Sequence, residues 1–193
     1  MRRVLKIKHF NVICTLATIV LLLLLCGPIA EAATSGSLSN SNIGLSSSDS
    51  NGTWTASGDS ISCESVTVKT TTTLTITNNY SSTAVLSFEL NGGLTAYGAT
   101  GSNRTSSITV TKGSTQLFYS YIEGGFLSTN SKNYTQSFTE SNAITLAAGE
   151  SITISLLRSS KNSSNATAYI SNLSLIQQQS ITLTFNPSSP QVS

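Results

Sequence analysis

The chain has 193 residues, a formal net charge of +2 and a single histidine, His9. Four of its ten basic residues fall in the first eight positions, so six basic and seven acidic residues follow the leader described next, a net charge of −1. That balance gives no electrostatic case for binding nucleic acid or an anionic membrane. A chain that loses His9 builds no Ser-His-Asp or Cys-His catalytic pair and no histidine-ligated zinc or iron centre.

Arg2, Arg3, Lys6 and Lys8 precede an apolar run from Val12 to Cys26, which Gly27 and Pro28 break before Ala30-Glu31-Ala32. Basic, then apolar, then small residues is the order of a secretory signal peptide. The run of 15 residues is short of the roughly 20 that a spanning helix needs. Residues 1–32 are therefore expected to be removed before Ala33. The rest would be extracellular, with no membrane contact after cleavage, or held at the cell surface if a longer parent chain carries an anchor. Cys14 and Cys26 leave with the leader, so no intrachain disulfide is expected for Cys63, which is read as a small core residue.

Residues 33–51 are small and polar and read as a flexible lead-in. Beyond them, apolar residues alternate with Ser and Thr in Val66-Thr67-Val68, Leu74-Thr75-Ile76-Thr77, Leu86-Ser87-Phe88, Ile108-Thr109-Val110, Ile152-Thr153-Ile154-Ser155-Leu156 and Ile181-Thr182-Leu183-Thr184-Phe185. Period two with β-branched residues predicts strands with one buried and one wet face. Ser and Thr make up 61 of the 161 residues after the leader, yet no proline lies between Ala33 and Asn186, which argues against a mucin-like stalk. Turns are expected at Asn78–Ser82, Asn91-Gly92-Gly93, Lys112-Gly113-Ser114, Ala147–Glu150 and Lys161–Ser164. The pattern predicts an all-β fold, an antiparallel two-sheet sandwich of immunoglobulin-like or jelly-roll type, over residues 52–176. Gln177-Gln178-Gln179 reads as a linker. Residues 177–193 as a whole are expected to be that linker and the first strand of a missing or truncated next domain.

Four strings carry a resemblance: Gly52-Thr53-Trp54-Thr55-Ala56-Ser57-Gly58, Thr73–Asn79, Ile144–Ile154 and Ile170–Ile176. On them the chain resembles the N-terminal β-sandwich module of exported, repeat-containing surface proteins from gut Firmicutes. The resemblance implies a fold and a position after a signal peptide, with a run such as Ile181–Phe185 opening the next domain. It brings no assigned activity and no catalytic residue.

The residues nominate little chemistry. A glycosidase needs two facing carboxylates, and the acids after the leader are scattered. Asp59 and Glu64 flank Ile61–Cys63 and could hold Ca²⁺ with backbone carbonyls, though no spaced Asp/Asn loop supports it; no metal and no cofactor is expected. Lys69, Lys112 and Glu89 would be the parts of a lysine–asparagine crosslink. Seven Asn-x-Ser/Thr triplets occur and read as products of composition. The remaining candidates are aromatic. On Leu117–Ile122, alternation places Leu117, Tyr119 and Tyr121 on one face and Phe118, Ser120 and Ile122 on the other. The second set is more apolar and is expected inside. Tyr119, Tyr121 and Phe126, the last on a Gly124-Gly125 loop, then form a candidate ligand platform. The sequence thus predicts a non-enzymatic structural or adhesive module of the cell exterior, meeting an extracellular glycan or a host or cell-wall surface. The alternative is a carbohydrate-binding module of an extracellular glycan-degrading system.

Overall fold

Threonine alternating with leucine and isoleucine makes Thr70–Asn78 a strand whose Leu74 and Ile76 are sealed from solvent while Thr73, Thr75 and Thr77 stay partly wet. The same arithmetic builds the whole molecule. A computed structural model describes residues 31–32, 35–48, 54–63, 70–99, 102–159 and 164–179. The signal peptide, Glu64, Lys69 and the Ile181–Phe185 run lie outside the described residues, apart from Glu31 and Ala32 of the leader.

The strands are β1 (Glu31–Ala32), β2 (Ser35–Leu38), β3 (Ile43–Ser48), β4 (Thr55–Gly58), β5 (Ser60–Cys63), β6 (Thr70–Asn78) and β7 (Ala84–Ala99). They continue as β8 (Ser102–Asn103), β9 (Thr105–Lys112), β10 (Thr115–Glu123), β11 (Thr129–Phe138), β12 (Ile144–Leu146), β13 (Ser151–Arg158) and β14 (Ser164–Gln177). One sheet has the order β1-β3-β6-β13-β9-β10 and the other β11-β7-β14-β5-β4-β2, with β12 and β8 also paired to β7. β2 pairs with β4 in parallel, and the other strand pairings named below are antiparallel.

The pairing decides between the two sandwich types. Among β5, β6, β7, β9, β10, β11, β13 and β14, the first pairs with the last, the second with the seventh, the third with the sixth and the fourth with the fifth. A long hairpin rolled up on itself gives that nesting, which is the jelly roll. Ile61, Leu74, Ile76, Leu86, Phe88, Leu90, Leu94, Ile108, Ile152 and Ile154 fill the space between the sheets, with Trp54 at the entry to β4. Cys63 is buried in the same core.

Three expectations change. The lead-in contributes strands: β3 pairs with β6 from Ile43↔Asn78 to Ser48↔Thr73, and Ile43 is buried. Its own sequence is too polar to announce this, since Ser46 and Ser48 take the wet face and β6 supplies the partner. At the other end β14 runs through Gln177, which pairs with Ala84, so the strand takes the first residue of the expected linker. Asn91-Gly92-Gly93 is no turn. It lies inside the 16-residue β7, flanked by β11 and β14. Glycine weakens a strand, and here two side chains compensate. The Tyr134 hydroxyl passes over Gly92 to donate to the Thr167 carbonyl at 2.5 Å, and the Gly93 N–H donates to Thr167 Oγ1 at 3.0 Å.

Asn78 ties the β6–β7 turn to the β12–β13 turn. Its buried amide donates to the carbonyls of Ser82, Leu146 and Ala147 at 2.9–3.0 Å, and its Oδ1 accepts from the Tyr80 N–H.

Candidate functional site

β10 is the outer strand of its sheet, paired with β9. A register shift between Gln116 and Phe118 lets Leu117 turn partly into the core rather than join the tyrosines. After it the alternation runs as expected. Phe118, Ser120 and Ile122 face inward, and Phe118 meets Tyr134 at a ring-centroid distance of 5.9 Å. Tyr119 and Tyr121 are 50% and 40% exposed, with centroids 6.3 Å apart and planes inclined by only 21°. The Tyr121 hydroxyl donates to Glu123 Oε2 at 3.2 Å. Partial desolvation, and after it that hydrogen bond to a carboxylate, push the phenol pKa up, so it stays a neutral donor.

The register shows what flanks the pair. Tyr119 stands opposite Thr109, then Ser155, Thr73 and Ser48 across the sheet. Tyr121 stands opposite Ser107, then Leu157 and Thr71. The outer face is thus mostly Ser and Thr, with two rings at one margin; within the Tyr121 row Ser107 is buried and Leu157 is half-exposed.

Phe126 belongs elsewhere. Its backbone bridges Gly98 of β7, in the other sheet. Gly98, Gly124 and Gly125 permit this: a Cβ on Gly98 would lie 1.9 Å from the Gly125 carbonyl oxygen, and one on Gly124 2.1 Å from the Gly98 nitrogen. Phe126 and Leu127 are therefore held out at that rim, both exposed, Leu127 with φ of 50°. The ring pair and Phe126 sit on different elements.

The structure adds a site that sequence reading passed over. On the outer face of the second sheet, Tyr169 of β14 stands between Ser62 of β5 and Asn91 of β7. These three, with Thr167, line a recess of about 340 Å³ beside the side-chain-free Gly93. The signal was there: Ala166, Ala168 and Ile170 are the inward set, which turns Tyr169 out. Misreading Gly92-Gly93 as a turn hid the neighbouring strand. A second cleft, about 370 Å³, opens where β10 and β11 part, over Leu117, Phe138 and Ile144.

The other sequence candidates are not assembled. Asp59 lies in the β4–β5 turn, and its proposed calcium partner Glu64 is outside the described residues. Lys112 bonds the Thr145 carbonyl at 2.6 Å and pairs with Glu150 at 3.1 Å, whereas Glu89 is exposed on the outer face of β7. The described carboxylates after the leader, Asp59, Glu89, Glu123, Glu140 and Glu150, occupy five separate elements and turns. Among the described residues no group of three His, Cys, Asp or Glu could hold a metal.

No family model and no curated protein matches the chain. Among solved structures it is similar to one described as "CBM4 structure and function", at 14% identity and a TM-score of 0.23, covering 72% of this chain and 81% of that one.

Proposed function

We propose that this chain is a non-enzymatic, adhesive module of an exported protein, and that the outer face of β10 is its contact with an extracellular glycan. The leader pattern of residues 1–32 supports export, and the dispersal of the carboxylates supports a role without catalysis. One observation carries the glycan reading: Tyr119 and Tyr121 are exposed, adjacent and nearly parallel at the margin of a hydroxyl-rich face. Aromatic faces stack on pyranose rings, and hydroxyl rows offer both donors and acceptors to sugar hydroxyls. The recess at Tyr169 supports a second contact of the same kind on the opposite sheet.

A glycan array with wild type, Tyr119→Ala/Tyr121→Ala and Tyr169→Ala tests both. Each stacked ring is expected to contribute about 1–2 kcal/mol, by analogy with rings stacked on nucleic-acid bases. The double variant should then lose binding by tenfold or more. Binding lost only in Tyr169→Ala moves the site to the recess. A wild type that binds nothing leaves the module a spacer.

A further inference from the structure

β13 sends Ile152, Ile154 and Leu156 into the core, and the next inward position is Arg158. A guanidinium thus stands where the pattern calls for an apolar residue. It is only 4% exposed, and among the described residues its Nε and Nη2 have no hydrogen-bond partner. Those two nitrogens share one edge of the planar group, with their N–H bonds side by side. That edge is the fork that takes both oxygens of a carboxylate or phosphate. A buried charge left uncompensated is among the costliest features a core can hold, and burial lowers the pKa of this guanidinium.

The neighbours repeat the signal. Arg158 pairs with Ser106, and the Ser159 N–H donates to the Thr105 carbonyl. Arg104 leads into β9, two residues before Ser106, the partner of Arg158. Among the described residues Arg104 Nε is also buried without a partner, as is Oγ1 of Thr72 on β6. Thr72 is one inward step from Thr70, which pairs with Arg158. Two adjacent strands, and the residue that leads into a third, therefore bring such polar atoms toward one end of the interior. Ser106 Oγ donates to the Thr95 carbonyl at 2.7 Å, which identifies the facing part of the second sheet. There Leu94 is buried, but its neighbours Ala96, Ala166 and Ser164 are small where the middle of β7 has Leu86, Phe88 and Leu90.

We propose that this end of the sandwich binds a single oxyanion, a carboxylate or phosphate group gripped by the Arg158 fork with Arg104 beside it. The site is independent of the tyrosine face. An acidic sugar would bring the carboxylate, and a teichoic-type or free phosphate the other group.

The test uses protein recovered from a secreting host, in a chloride buffer. Sodium galacturonate, its neutral methyl ester, phosphate and sulfate are added at matched ionic strength, and melting is followed for wild type, Arg158→Lys and Arg158→Met. The wild type should gain about 3 °C at an oxyanion concentration tenfold above its dissociation constant. Arg158→Lys should gain less and Arg158→Met nothing, with no gain from the methyl ester. A response to galacturonate alone assigns an acidic sugar, and one to phosphate alone assigns a phosphate. Should Arg158→Met fail to fold, the ¹⁵N–¹H signal of Arg158 Nε in the wild type must shift on titration. Equal melting gains in wild type and Arg158→Met, or an Nε signal that no oxyanion moves, would overturn the proposal.

Discussion

Gly92 shows how one residue sets local geometry. A Cβ built there would lie 2.2 Å from the Thr167 carbonyl oxygen and 2.3 Å from the Tyr134 hydroxyl. Neither can retreat, because the two are bonded to each other across the glycine. Gly92→Ala should therefore destabilise the fold by about 3 kcal/mol, the upper range for overpacking, whereas Gly93→Ala, whose Cβ meets nothing closer than 3.4 Å, should be mild. Urea midpoints of the two variants measure this, and similar values for both would be the wrong result. Glu150 makes a pH-dependent contact. Its carboxylate accepts the Ala147 N–H at 2.9 Å and pairs with Lys112, and in that order these lower its pKa. A carboxyl whose pKa is lower folded than unfolded adds stability above the unfolded value of about 4.3 and loses it as pH falls through the folded value. The difference in urea midpoint between wild type and Glu150→Gln should therefore shrink as pH falls from 6 to 2. A difference that stays constant would show that charge plays no part.

At the scale of elements, the strands that alternate cleanly were legible, and those whose stability comes from a partner were not. Leu74 to Thr77, Ile108 to Val110 and Ile152 to Leu156 carry their burial pattern in their own residues. The outward turn of Tyr119 and Tyr121 follows from the same period, and only the shift before Phe118 redirects Leu117. β3 is different. Its Ser47 is inward and buried, opposite Leu74, so no hydropathy rule would make it a strand without knowing that β6 lies beside it. The same limit applied to the candidate site. The tyrosine pair sits on one strand and could be read locally, whereas the Tyr169 recess and the Arg158 end need residues that only the sheet order brings together. A chain beginning at Gly52 lacks β3 and leaves six paired positions of β6 open, from Thr73 to Asn78. Losing the burial of Ile43 alone costs about 1.5–3 kcal/mol. The truncated chain should thus unfold at a distinctly lower denaturant concentration than one beginning at Ala33, and equal midpoints would return residues 33–51 to the status of a tail.

The whole molecule is governed by the roll. β5 lies against β14, so Cys63 pairs with Ala168, more than a hundred residues away. β6 likewise waits for β13, and β7 for β11. Among the described strands, β4–β5, β7–β8 and β9–β10 are the pairs of chain neighbours with short connections. Loop-closure entropy must therefore be met before most of the core forms, which places folding of such a topology in the millisecond-to-second range. Proline isomerisation is a separate source of slowness, with time constants of tens of seconds at 25 °C. The chain has three prolines, Pro28, Pro187 and Pro190. None lies between the first and last strands of the sandwich, so every peptide bond within it is of the kind that is trans before folding begins. Refolding of the sandwich should consequently show one main phase, set by topology, that a prolyl isomerase does not accelerate. Stopped-flow refolding monitored by Trp54 fluorescence, with and without isomerase and by single and double jumps, measures this directly. A dominant phase of tens of seconds that the isomerase shortens would mean that Pro187 or Pro190 is coupled to the core, and the segment after Gln179 would then have to be counted as part of the roll.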